Sequence, residues 1–274
     1  MVLAIGVTHL YSPVMNGSPA SAETFFSKLE TPYTFDQVTV GDRKLNYCRT
    51  GQTDTDKPLI IFVHGAPGSW NAYKTYLADI DLREQAQLIS VDRPGYGDSD
   101  YGHAITDIKG HAESIKAVID KHPSYQVILI GHSYGGPIIG MVATMYPELI
   151  NGMLMVAPVI DPESEPVKWY ADICHLGLMR FVLPDYINVA TTEKMSHKSA
   201  LRDIKDNWQR LAVPVIHYHG VTDILAPYEG NTQFSKQHID PQFLTLITEQ
   251  NDGHFILWNK QGTIKKMILS LMGK

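Results

Sequence analysis

Val127-Ile128-Leu129-Ile130-Gly131-His132-Ser133-Tyr134-Gly135-Gly136-Pro137-Ile138-Ile139-Gly140 reads as a buried strand, a tight turn and a buried helix in direct succession. The run Val127 to Ile130 is apolar at every position and rich in β-branched residues. That pattern suits a strand covered on both faces of a parallel sheet. Pro137 to Tyr146 is apolar almost all round, as expected of a helix packed behind such a sheet. Between them, Gly131-His132-Ser133-Tyr134-Gly135 fits the pattern G-x-S-x-G. Glycines flank a turn too tight for neighbouring side chains. The turn leaves the Ser133 hydroxyl at a helix N-terminus, where free N–H groups favour developing negative charge.

The same signals repeat outward from this stretch. Leu59 to Val63, Leu88 to Val91, Met153 to Val156, Val213 to His217 and Phe243 to Ile247 read as further strands. Phe35 to Val40 and Lys44 to Arg49 form a predicted hairpin around Gly41-Asp42. Helical spacing places Ile108, Ala112, Ile115, Val118 and Ile119 on one stripe of a helix over 105–121, and 265–272 reads as a closing helix. Strands alternating with helices predict an α/β fold with a mostly parallel, doubly wound sheet. The alternation lapses between Ala157 and about Leu211, where Pro158, Pro162, Pro166 and Pro184 separate aromatic and apolar clusters. This segment reads as a helical insertion over the end of the sheet.

A serine hydroxyl needs a base to remove its proton. His254, in a loop after the last strand, is the candidate. Asp223, just past the strand Val213 to His217, is the candidate acid that orients the imidazole, and Asp161 is the runner-up. The order Ser133, Asp223, His254 suits strands that all end on one edge of the sheet. The negative charge formed when Ser133 attacks a carbonyl needs backbone donors. The N–H groups of Ala66 and Tyr134 are the candidates, since Pro67 has none to give. His64 is expected to tie its own turn together through its ring. Arg93 and Asp98 are read as a salt link that pins the loop Asp92 to Ser99. Trp169, Tyr170, Leu176, Met179 and Phe181 are candidates to line a substrate pocket.

Five segments together resemble the α/β-hydrolase superfamily: His64-Gly65-Ala66-Pro67-Gly68, Asp92-Arg93-Pro94-Gly95-Tyr96-Gly97, Gly131 to Gly135, His219-Gly220-Val221-Thr222-Asp223 and Gly253-His254. The resemblance implies a sheet of about eight strands flanked by helices, over residues 35–274, with a small cap insertion at about 157–211. Residues 1–34 would then be an N-terminal arm or tail. The implied chemistry is that of a serine hydrolase with a Ser-His-Asp triad. It would cleave a carboxylic ester, lactone or related acyl bond of a small molecule, with no cofactor and no metal. Carbon–carbon bond hydrolases, cofactor-free haloperoxidases and proline iminopeptidases share these motifs, and so do some non-catalytic ligand-binding proteins on the same fold. Epoxide hydrolases and haloalkane dehalogenases carry aspartate at the position of Ser133.

Composition narrows the partners. Hydrophobic residues make up 44% of the 274 and charged residues 19%, which is the balance of a globular enzyme. A formal charge of −6 argues against nucleic acid, whose phosphates require a basic face. No apolar run reaches the length of a membrane span, so membrane association is not expected. Two cysteines, Cys48 and Cys174, match no metal or disulfide spacing. A cytoplasmic location is expected. The apolar stretch Met1 to Val7 leaves open a periplasmic or anchored one.

Overall fold

The computed structural model describes residues 19–165 and 182–273. Eight strands form one sheet: β1 (Thr34–Val40), β2 (Arg43–Gly51), β3 (Leu59–Val63), β4 (Gln87–Val91), β5 (Val127–His132), β6 (Gly152–Val156), β7 (Val215–Gly220) and β8 (Leu244–Glu249). Their order is β1-β2-β4-β3-β5-β6-β7-β8. β2 runs antiparallel to both its neighbours, and every other pairing is parallel. Val40 pairs with Arg43, so Gly41-Asp42 is the two-residue hairpin loop that the sequence predicts. The seventh strand starts two residues later than expected, after Pro214, and runs on to Gly220.

The helices used below are α1 (Pro19–Ser27), α2 (Ile108–Lys121), α3 (Gly135–Met145), α4 (Asp185–Ile204), α5 (Tyr228–His238) and α6 (Gln261–Met272). β3, β4, β5 and β6 are buried at every residue, which explains why their residues are mostly apolar. Side chains alternate between the two faces of the sheet. Ile61, Val63 and Leu129 join α2, α3 and α4 in one core, while Ile60, Phe62, Ile128 and Ile130 join α1 and α6 in the other. Because β3 to β8 are parallel, the turns that follow β3, β5, β7 and β8 all emerge at one edge of the sheet. That edge gathers residues 31 to 121 positions apart, Ser133, Asp223 and His254, into one place.

The segment between β6 and β7 contains α4 and a 3₁₀ turn (Lys205–Arg210). The pocket candidates Trp169, Tyr170, Leu176, Met179 and Phe181 lie outside the described residues. Residues 19–27, expected to belong to a tail, form α1, which packs Phe26 against Trp70 and Tyr33.

Candidate active site

Ser133 sits between β5 and α3 with φ of +53°, a left-handed backbone that non-glycine residues seldom adopt. The turn is closed so tightly that a Cβ on Gly131 would overlap the carbonyl oxygen of Gly135, and a Cβ on Gly135 would overlap that of Val63. Only glycine fits at either flank. The Ser133 backbone is pinned from both sides. Its N–H donates to Val156 O at 3.1 Å, and its carbonyl accepts from Gly136 N at 2.9 Å. The strained conformation therefore persists because neighbouring strands hold it.

Ser133, Asp223 and His254 form one hydrogen-bonded row. His254 Nε2 lies 3.0 Å from Ser133 Oγ, and His254 Nδ1 lies 2.8 Å from Asp223 Oδ2. A carboxylate can only accept, so Nδ1–H donates to Asp223 and the Nε2 lone pair is left facing the serine hydroxyl. The loops after β7 and β8 are joined backbone to backbone by Thr222 N to Asp252 O at 3.1 Å. This holds Asp223 and His254 in register. Asp161 lies elsewhere: it bonds Ser164, and its N–H is held by Asn231.

Two further histidines, neither expected from sequence, support the row. His132 Nε2 donates to the carbonyl of His254 at 3.0 Å. Burial pushes the His132 imidazole down to about 3, so it works as a neutral donor. His219 Nε2 lies 2.8 Å from Ala226 O and 3.3 Å from Asp223 Oδ2. Its Nδ1 then accepts from His217 Nε2 at 2.9 Å. Asp223 Oδ1 takes the amides of Leu225 and Ala226, both at 2.8 Å. Burial alone would raise the Asp223 carboxyl, but the hydrogen bonds from His219 and His254 and the backbone donors hold it well below the usual range.

The turn after β3 lies against the serine. A Cβ built on Gly65 would come within 3.0 Å of Ser133 Cβ. His64 Nδ1 donates to Gly65 O at 2.7 Å, and its Nε2 accepts from Arg93 N at 3.0 Å. His64 thus ties the turn together, as its position in the motif suggests. Arg93 does not pair with Asp98. The Asp98 amide donates to Asp92 Oδ2, and Arg93 instead forms a two-pronged pair with Glu193 of α4 at 2.7 and 3.0 Å. Tyr96 and His111 complete the surroundings of Glu193, at 2.6 and 3.1 Å. Burial would raise the Glu193 carboxyl, but the Arg93 charge and the hydrogen bonds from His111 and Arg93 bring it down to about 2. The one sequence signal for Glu193 was its place on the stripe Tyr186, Val189, Glu193, His197, Ala200, where a charge among buried positions demands a buried partner.

The alpha/beta hydrolase fold family profile matches residues 58–173. The crystal structure of MGS-M2, an alpha/beta hydrolase enzyme from a Medee basin deep-sea metagenome library, superposes with a TM-score of 0.72. It is 16% identical and covers 87% of this chain and 98% of its own. The chain has the α/β-hydrolase fold. Among curated proteins, this chain is 27% identical over 128 residues to Epoxide hydrolase 4 of Mus musculus, covering 43% of this chain and 33% of that protein. It is 22% identical over 188 residues to a Monoglyceride lipase homolog of Monkeypox virus, covering 66% of this chain and 64% of that protein. The chain thus aligns with only a third of the length of its epoxide hydrolase relative. Among the described residues, no cluster of three or more His, Cys, Asp or Glu is arranged to hold a metal ion. No helix among them is long and apolar enough to cross a membrane.

Proposed function

We propose that this α/β-hydrolase-fold protein is a serine hydrolase that cleaves a carboxylic ester, or a related acyl bond such as a lactone, of a small molecule. The observation that carries this reading is the row Ser133–His254–Asp223, with spacings of 3.0 and 2.8 Å and the nucleophile in a strained turn. Ser133 Oγ attacks the carbonyl while His254 Nε2 takes its proton. The tetrahedral oxyanion is held by the amides of Ala66 and Tyr134. His254 then gives its proton to the leaving alcohol. In the second half, His254 activates water against the acyl-enzyme, and Ser133 is released. Asp223 stays ionised throughout and steadies the imidazolium.

The hydroxyl nucleophile favours acyl transfer over epoxide opening, the activity in the name of one relative. Attack of a serine oxygen on an epoxide carbon would leave an ether, which water does not readily cleave. A carboxylate nucleophile would leave a hydrolysable ester. The test is a panel of p-nitrophenyl esters and lactones with the parent protein and Ser133→Ala, together with a fluorophosphonate label. Turnover and labelling that both vanish in Ser133→Ala are expected. Turnover that survives Ser133→Ala would overturn the proposal. Labelling of Ser133 with no turnover of any substrate would favour a ligand-binding protein on the same fold.

A further inference from the structure

The clamp between Arg93 and Glu193 reaches the reacting atoms through one peptide plane. Arg93 and Glu193 are 1% and 0% exposed at their side chains, and belong to the loop after β4 and to α4. Arg93 Nε donates to His64 O at 3.0 Å, and Nη2 donates to Gly65 O at 3.1 Å. The guanidinium is a rigid, planar fork, so the two prongs on Glu193 fix the direction of the N–H groups aimed at the turn. The Gly65 carbonyl is therefore held twice, by Arg93 and by His64 Nδ1. The Gly65–Ala66 peptide is trans and planar, so the Ala66 N–H must point opposite to that carbonyl, away from Arg93. The Gly65 backbone lies against the Ser133 side chain, so this peptide belongs to the turn next to the nucleophile. The Arg93 guanidinium also lies 4.6 Å from the centre of the Tyr134 ring.

We infer that Glu193, acting through Arg93, is a positioning residue for the oxyanion-binding amide of Ala66, so that α4 of the inserted segment sets the rate of acyl transfer. The inference rests on the acyl-transfer reading of Ser133. Replacing Glu193 by glutamine removes the charge that fixes the fork. The Gly65–Ala66 plane is then free to turn, and the amide loses its aim at the oxyanion.

The experiment measures kcat and KM on a p-nitrophenyl ester for the parent, Glu193→Gln and the double variant Arg93→Met/Glu193→Leu. Each is normalised to the sites titrated by a fluorophosphonate. Affinity for a boronic acid, which forms a tetrahedral adduct on serine, is measured beside affinity for the carboxylate product. Loss of a whole oxyanion donor costs roughly 10²–10³-fold in kcat, and a misplaced one costs roughly 10–10²-fold. A fall of about 10–10²-fold in kcat per titrated site is therefore expected, with KM nearly unchanged. Boronate affinity should fall in parallel and product affinity should hold. A purely structural role would lower the number of titratable sites and leave kcat per site intact, which would overturn the inference. The double variant removes both buried charges together, a change that proteins often tolerate. It carries the test if Glu193→Gln does not fold, and kcat per site within about twofold of the parent would overturn the inference there too. Absence of Ser133-dependent labelling in the parent would instead overturn the acyl-transfer reading itself.

Discussion

At the scale of single residues, the candidate site depends on which nitrogen of each histidine carries a proton. Asp223 settles this for His254, because a carboxylate can only accept. Asparagine at 223 could turn its NH₂ toward Nδ1 and leave Nε2 protonated, with no lone pair for the serine. Asp223→Asn is therefore expected to lower kcat by roughly 10⁴-fold, the cost of the wrong tautomer in a comparable triad. Asp161→Asn should change kcat little, since Asp161 bonds Ser164 rather than the base. Ester turnover per titrated site checks both, and the opposite ranking would move the acid to the strand before. His132 gives a second prediction. His132→Phe removes the donor to His254 O and leaves that carbonyl without its partner. A loss of about 1–3 kcal/mol in urea unfolding is expected. The His132 ring is down at about 3 in the folded state against an ordinary 6.5, so the unfolded parent takes up a proton below about 6.5, and the loss should be full near pH 8 and shrink toward pH 5. A loss equal at pH 8 and pH 5 would show that burial does not hold the ring neutral.

At the scale of elements, legibility followed the range of the interaction. The strands β3 to β6 could be read because burial on both faces writes itself into four or five consecutive residues. The turn at Ser133 could be read because its glycines answer clashes within a few residues of chain. Arg93 was misassigned because its near neighbour Asp98 looked sufficient, whereas its partner stands 100 residues away on α4. Nothing local to Arg93 specifies how α4 crosses the sheet edge. That long-range pair has a consequence for acid stability. The Glu193 carboxyl is depressed to about 2 from an ordinary 4.5, so the folded state binds fewer protons than the unfolded state between those values. Its contribution is complete above about 4.5 and is lost as pH falls toward about 2. Urea midpoints of the parent should drop across this window. Arg93→Met/Glu193→Leu should drop less steeply, and equal slopes would show that the pair does not hold α4 in place.

At the scale of the whole molecule, α1 is part of the folded body. Phe26 of α1 is fully buried. Its ring lies 4.8 Å from that of Tyr33 and 5.9 Å from that of Trp70, and Phe35 closes on Trp70 at 5.3 Å. Sequence periodicity could not reveal this. α1 has nine residues, few of them apolar, and its aromatic partners are Tyr33, just before β1, and Trp70 on the 3₁₀ turn (Trp70–Tyr73). The cluster also connects to the site scaffold, because Trp70 N donates to the buried Asp92 at 2.8 Å and Asp92 begins the loop that carries Arg93. Removing the Phe26 ring should leave a cavity that this rigid surround cannot fill. Phe26→Ala is expected to cost about 3–5 kcal/mol in urea unfolding. The strand ends that hold Ser133, Asp223 and His254 belong to a different part of the sheet edge, so kcat per titrated site should stay near the parent's. A loss under about 1 kcal/mol would return α1 to the status of a loosely attached arm. A matching fall in kcat would mean that the Trp70–Asp92 link carries the damage through to the turn beside Ser133.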